Sequence, residues 1–190
     1  MTEERIYIVV SQTGTMLSRI LKLATGAKYN HASVSYDGSL KTMYSFGRLN
    51  PYNPFWGGFV RESTEYGTFK RFRDTEALVI ALPVDPKLYK EFRRDILKMY
   101  ARKRFYHYNY LGLFAASVGI PVELRNHFYC SEFVRYILKR HNIINPRKFR
   151  KTNGIIKPID FLQVKGAEIV YRGKLRDFMR RPAALKMATV

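Results

Sequence analysis

A chain of 190 residues, 46% hydrophobic and 15% aromatic, carries enough apolar material for one packed domain, which excludes a disordered polymer. Its single cysteine excludes an internal disulfide, and its four histidines lack the spacing of a zinc site, so neither a disulfide-stapled scaffold nor a zinc finger fits and no metal or cofactor is expected. The formal charge of +19, from 34 Lys and Arg against 15 Asp and Glu, favours anionic surroundings such as nucleic acid or acidic lipid headgroups, with a merely well-solvated surface as the plainer reading.

In chain order, 5-RIYIVV-10 reads as a strand that ends in the turn and cap residues 11-SQTGT-15. A helix follows over 16-MLSRILKLA-24, with Met16, Ile20 and Leu23 on one face and Gly26 as its stop. In 31-HASVSYD-37, His31, Ser33 and Ser35 alternate with Ala32, Val34 and Tyr36, and 37-DGS-39 predicts a hairpin into a second strand, 42-TMYSF-46. The serine face leaves room for a helix to approach closely. The strip 47-GRLNPYNPFWGGFVRE-62 is rich in Gly, Pro, Asn and aromatics and reads as an ordered loop packed by its own side chains.

A strand is expected at 77-ALVIALPV-84, then a helix over 86-PKLYKEFRRDILKMYARKR-104 with Leu88, Phe92, Ile96 and Met99 inward. Its basic residues lie on the other faces, as an anion-facing or a solvated surface. The stretch 105–128 predicts a short helix within a long loop. A helix then begins near Cys130, a short one opens at Pro158, and 167-AEIVYRG-173 is the last strand. The expected division is one domain over residues 1–173 and a basic tail over 174–190.

The start Met1-Thr2-Glu3-Glu4-Arg5 is acidic where a signal peptide would be basic, and the uncharged run Tyr110 to Val122, interrupted by Gly112, Gly119 and Pro121, falls short of the roughly 20 apolar residues a membrane span needs. A cytoplasmic protein is expected, with peripheral contact to a membrane left open.

Cys130 opens its helix with Phe133, Val134, Ile137 and Leu138 on the same face, so its thiol points inward. Two readings compete: a small buried hydrophobe, or a nucleophile whose ionisation the helix N-terminus favours. A nucleophile needs a base, usually an imidazole held by a third group. His127 and His141 sit too close along the chain or at the wrong end of the helix, and His107 lies in the aromatic loop. His31 opens a strand, where it is either a partly exposed strand-end residue or the base.

The order of 29-YNHASVSYDG-38 and 129-YCSEFVRYIL-138, with 25-TGAKYNHASV-34 leading into the histidine, resembles the circularly permuted papain-like cysteine hydrolases of the NlpC-type amidase superfamily, in particular the YaeF/YiiX-like branch. The resemblance covers roughly residues 5 to 163. It implies an α+β, circularly permuted papain-like fold in which an antiparallel sheet or small barrel packs against helices, with a catalytic cysteine at a helix N-terminus. It further implies Cys130 as nucleophile, His31 as base, and a third polar residue on the strand after the histidine. The hairpin brings Ser45 opposite His31, or Tyr44 if the register slips by one; the family has His, Glu, Asn or Gln in that role, and a serine would orient the imidazole less firmly. Tyr108 and Tyr110 match the family's tyrosine-bearing segment as hydroxyl donors, or are core aromatics. Glu132, within Cys-Ser-Glu, complements the helix dipole.

The implied activity is a thiol-dependent, amidase- or peptidase-like hydrolase working through an acyl-thioester, with acyl transfer to an amine or alcohol as a variant. Its partner is a small-molecule, peptide or lipid-like acyl substrate. A basic module binding nucleic acid or an anionic membrane, or an inactive papain-like interaction domain, are the alternatives.

Overall fold

The computed structural model describes residues 4–13, 28–53, 55–145 and 155–180. The expected helix over 16–24 and the chain after residue 180 lie outside them.

The strands are β1 (Glu4–Gln12), β2 (His31–Ser35), β3 (Met43–Arg48), β4 (Gly57–Glu62), β5 (Glu76–Val84), β6 (His107–Tyr108), β7 (His127–Phe128) and β8 (Glu168–Lys174). The helices are α1 (Gly67–Arg71), α2 (Pro86–Ala101), α3 (Tyr110–Ser117), α4 (Cys130–Arg140) and α5 (Leu175–Arg180), with 3-10 turns at Lys103–Phe105 and Pro158–Gln163. All eight strands join one sheet in the order β7-β6-β4-β3-β2-β1-β5-β8. It is open rather than a barrel, and mixed rather than antiparallel, because β6 and β7 pair in parallel.

Alternation along the strands splits the core between the two faces. Ile6, Ile8 and Val10 of β1, Ala32 and Val34 of β2, and Phe46 and Phe59 of β3 and β4 form one cluster with Phe92 and Ile96 of α2 and with Phe133, Val134, Ile137 and Leu138 of α4. Tyr7, Val9, Val79 and Ala81 point the other way, onto Phe69 of α1 and Leu175 and Phe178 of α5. The four apolar residues expected beside Cys130 are therefore buried, but they pack on the Ala32/Val34 side of β2 and not on its serines.

Three expectations need correction. Residues 57–62 are a strand, not loop: Phe59 enters the core while Glu62 lies across from Met43 of β3. Two glycines at its start and the Pro- and Asn-rich run before it hide a short strand pattern. The loop ahead of it is not packed by its own aromatics, since Tyr52, Phe55 and Trp56 are exposed. The basic tail does not begin at Lys174, which closes β8; Leu175 and Phe178, one helical turn apart, are buried beneath a run of charged neighbours.

Candidate functional site

Cys130 is the first residue of α4, and Sγ reaches the Asn30 carbonyl at 3.9 Å, directly before His31. The first turn of α4 is tied down on two sides. Ser131 Oγ donates to the Ile156 carbonyl at 2.7 Å. Glu132 accepts from the Tyr129 N–H at 3.1 Å and from Asn109 Nδ2 at 3.2 Å, so its carboxylate satisfies one of the unpaired donors of the helix start and clips α4 to the cap of α3. Asn109 in turn holds α3 through Oδ1, which accepts from the Gly112 N–H at 2.8 Å, and through Nδ2, which donates to the Val122 carbonyl at 3.0 Å. A side chain at Gly112 would meet that same carbonyl oxygen at 2.7 Å, so the clip requires glycine there.

Across from the thiol, His31 Nε2 lies 2.9 Å from Glu62 Oε1 and 3.2 Å from Oε2. Ser33 Oγ donates to Glu62 Oε2 at 2.5 Å. The side chains of His31 and Glu62 are only 14% and 10% exposed, so this is an ion pair largely removed from water. Burial pushes the imidazole pKa down, but the Glu62 charge, hydrogen bonding to Cys130 and to Glu62, and the Cys130 charge together raise it to about 10. Both neighbours therefore act on one ring, Glu62 through its contact with Nε2 and Cys130 from beside the peptide that precedes His31. Glu62 engages the ring through Nε2, with Ser33 Oγ 3.3 Å from the same nitrogen.

Neither Ser45 nor Tyr44 fills the orienting position. β2 and β3 pair Val34 with Tyr44, and Ser45 Oγ turns away to donate to the Ala32 carbonyl at 2.6 Å. Gly47 is the β3 residue beside the ring: a Cβ there would stand 3.6 Å from His31 Cε1 and 3.2 Å from Glu62 Oε1. Tyr44 is buried, with its hydroxyl 3.3 Å from that of Tyr36 and its ring edge-on to Tyr100. The register differs from the tight-hairpin expectation because the connection runs from Tyr36 to Thr42, with Leu40 in the left-handed region at φ 54 and fully buried. Glu62, which holds the imidazole, was concealed with β4. The signal that exposes it is the alternation of Phe59 and Arg61 with Val60 and Glu62, which sets an acid on the histidine's face of the sheet.

Tyr108 and Tyr110 stack with ring centroids 4.5 Å apart. Burial, the Cys130 charge and Tyr110 hold the Tyr108 phenol well above its ordinary range, so it stays a proton donor near the thiol. Tyr110 is more exposed, and its hydroxyl is hydrogen-bonded by the Gly57 backbone. Tyr108 packs against the main core cluster and, like Tyr110, closes against Gly57 at the start of β4.

A groove with about 510 Å³ of empty space opens beside the sulfur, lined by Tyr29, Leu113, Ala116, Cys130, Ile156 and Pro158 among others. Among the described residues no group of three or more His, Cys, Asp or Glu is arranged to hold a metal ion. Searches against protein-family models, characterised proteins and solved structures find no significant match for this chain.

Proposed function

We propose that the protein is a thiol-dependent hydrolase of amidase or peptidase type, built on a circularly permuted papain-like arrangement, with Cys130 as nucleophile, His31 as its proton partner and Glu62 as the group that orients and charges His31. The observation that carries this reading is a buried helix-start cysteine whose sulfur lies 3.9 Å from the carbonyl just before His31, while a carboxylate stands 2.9 Å from that imidazole. Glu62 takes the third role assigned above to Ser45, and a carboxylate orients imidazole more firmly than a hydroxyl.

The chemistry follows from the geometry. The Cys130 proton passes to His31, whose protonated form Glu62 favours, and sulfur attacks a substrate carbonyl. Backbone N–H groups at the start of α4 and the Tyr108 hydroxyl are suited to stabilise the oxyanion. His31 returns the proton to the leaving amine as the C–N bond breaks, leaving an acyl-thioester. Water then gives its proton to His31 and its oxygen to the acyl carbon, which releases the acid and the thiol. The apolar groove beside Cys130 suits the apolar part of an amide, peptide or lipid-like acyl substrate.

The test is the pH dependence of Cys130 alkylation in the folded protein, with His31→Ala as comparison. Rapid reaction at pH values where an ordinary thiol is protonated, with an altered profile in the variant, supports the pair. Slow reaction indifferent to His31 makes Cys130 a core residue and ends the proposal.

A further inference from the structure

Helix α3 has two apolar sides. Leu113 and Ala116 line the Cys130 groove, while Leu111, Phe114 and Val118 project the other way at 60%, 71% and 63% exposure. Their spacing of three and four residues makes them one stripe along the helix and its cap. Ile120 and Leu124 extend the exposed apolar surface past the helix. On the other flank the aromatic loop meets the start of α3, where the Tyr110 hydroxyl holds the Gly57 backbone and Trp56 stands 58% exposed beside exposed Phe55. Scattered exposed apolar residues need no explanation, but an aligned stripe on one helix with further exposed apolar side chains on both flanks does.

The charges around the stripe say what covers it. From Phe105 to Val122 the chain holds no Asp, Glu, Lys or Arg. Arg102, Lys103 and Arg104 precede this run and Arg125 follows it, all exposed. The acid that ends this run, Glu123, is ion-paired to Arg135, and Glu132 beneath the cap of α3 is buried. Arg71 lies over the Tyr52 ring at 4.2 Å on the loop side. An apolar stripe bracketed by cations matches a surface that is oily within and anionic at its rim, whereas a protein partner would have to supply both features by coincidence. No described helix is long and apolar enough to cross a membrane, so the contact is with one leaflet.

We propose that α3 and the Trp56 loop form a docking face for the surface of an anionic lipid bilayer. The docking goes beyond the hydrolase reading and does not depend on Cys130 chemistry.

Trp56 is the chain's sole tryptophan and so reports the docking directly. The full-length protein is sedimented with vesicles of phosphatidylcholine mixed with phosphatidylglycerol, and with phosphatidylcholine alone, while Trp56 emission is recorded. Expected are binding to the anionic vesicles, a blue shift of Trp56 and its quenching by brominated acyl chains. L111S/F114S/V118S should weaken binding at least about tenfold, since each apolar side chain withheld from the bilayer forfeits up to roughly that factor. Cys130→Ala should bind as the parent does, which separates failure of docking from failure of catalysis. The proposal is overturned if the parent does not bind anionic vesicles, if it binds neutral ones equally well, if brominated lipid leaves Trp56 unquenched, or if light scattering shows a stripe-dependent dimer that excludes vesicles. The quenching needs no variant, so a misfolded triple substitution does not shield the idea.

Discussion

The two ends of α4 each place a histidine beside a carboxylate, and the outcomes are opposite. At the start, His31 shares Glu62 with a neutral donor, Ser33, and its pKa is raised to about 10. At the end, His141 caps the helix 3.6 Å from Asp95, yet its pKa is lowered. Burial is the first cause at both rings. What differs is how much of the acid's charge remains for the imidazole. Asp95 is 2.9 Å from the Arg140 guanidinium and 3.4 Å from Arg94, and those two cations also repel a protonated His141. No such arginine contacts Glu62 among the described residues. A His-carboxylate contact is therefore not enough to identify a poised pair; the remaining partners of the acid decide its effect.

The strongest way to break the comparison is to neutralise each acid. Glu62→Gln should lower the rate of Cys130 alkylation at mildly acidic pH on the order of 100-fold and bring the His31 ring titration back toward the ordinary range, whereas Asp95→Asn should change the rate by less than about twofold. Equal effects from the two variants, followed by alkylation kinetics and NMR titration of the rings, would mean that charge at Glu62 has no special hold on the thiol.

The next largest effect is on stability. His31 is raised, so its contribution is complete below the unfolded value near pH 6.5 and disappears as pH climbs through about 10. His141 and Asp95 are both lowered, so theirs is present at neutral pH and disappears on acidification. Thermal melts should fall on the alkaline side by on the order of a few kcal/mol, and Glu62→Gln should flatten that limb while leaving the acid limb in place. An unchanged alkaline limb in this variant would refute the linkage.

Much of this was legible in the sequence, for identifiable reasons. The short continuous apolar run at 77–84 and the helical spacing of Phe92, Ile96 and Met99 are strong local signals, and the elements stand within a few residues of their expected bounds. Cys130 at a helix start, with its inward face, is equally local. Glu62 was not legible, because its role depends on a strand whose first two residues are glycines and on a register set by a buried Leu40 in a longer turn. The serine face of β2 gave a misleading cue: small residues read as room for a helix, but Ser33 and Ser35 spend their hydroxyls on Glu62 and on the Asp37 and Thr42 carbonyls.

Smaller effects sharpen the contrast. Glu132→Ala removes the acceptor for Tyr129 N–H and the clip to Asn109, and should cost about 1–2 kcal/mol in denaturant unfolding. Since the clip also positions α3 beside the groove, substrate KM should rise more than kcat falls. At the opposite end, Arg140→Gln should cost under about 1 kcal/mol, since Arg140 is largely solvated, but should move the His141 titration upward by removing a repelling cation. A downward movement in NMR titration would contradict the account of that end.

The contact between Cys130 and Asn30 spans 100 residues, whereas His31 and Glu62 are 31 apart. Closing the longer loop carries the larger entropic cost, and contacts of that range form late. The imidazole and its acid can meet as soon as the central hairpins pair; sulfur joins them only after α2, α3 and the rest of the sheet have been laid down. During synthesis and refolding, on the hydrolase reading, the chain would thus acquire the approach of Cys130 to His31 as a final step. If the proposed pair forms, timed pulses of alkylating reagent should show the change in Cys130 reactivity lagging the recovery of strand signal, so that chemistry at one atom becomes a clock for completion of the fold.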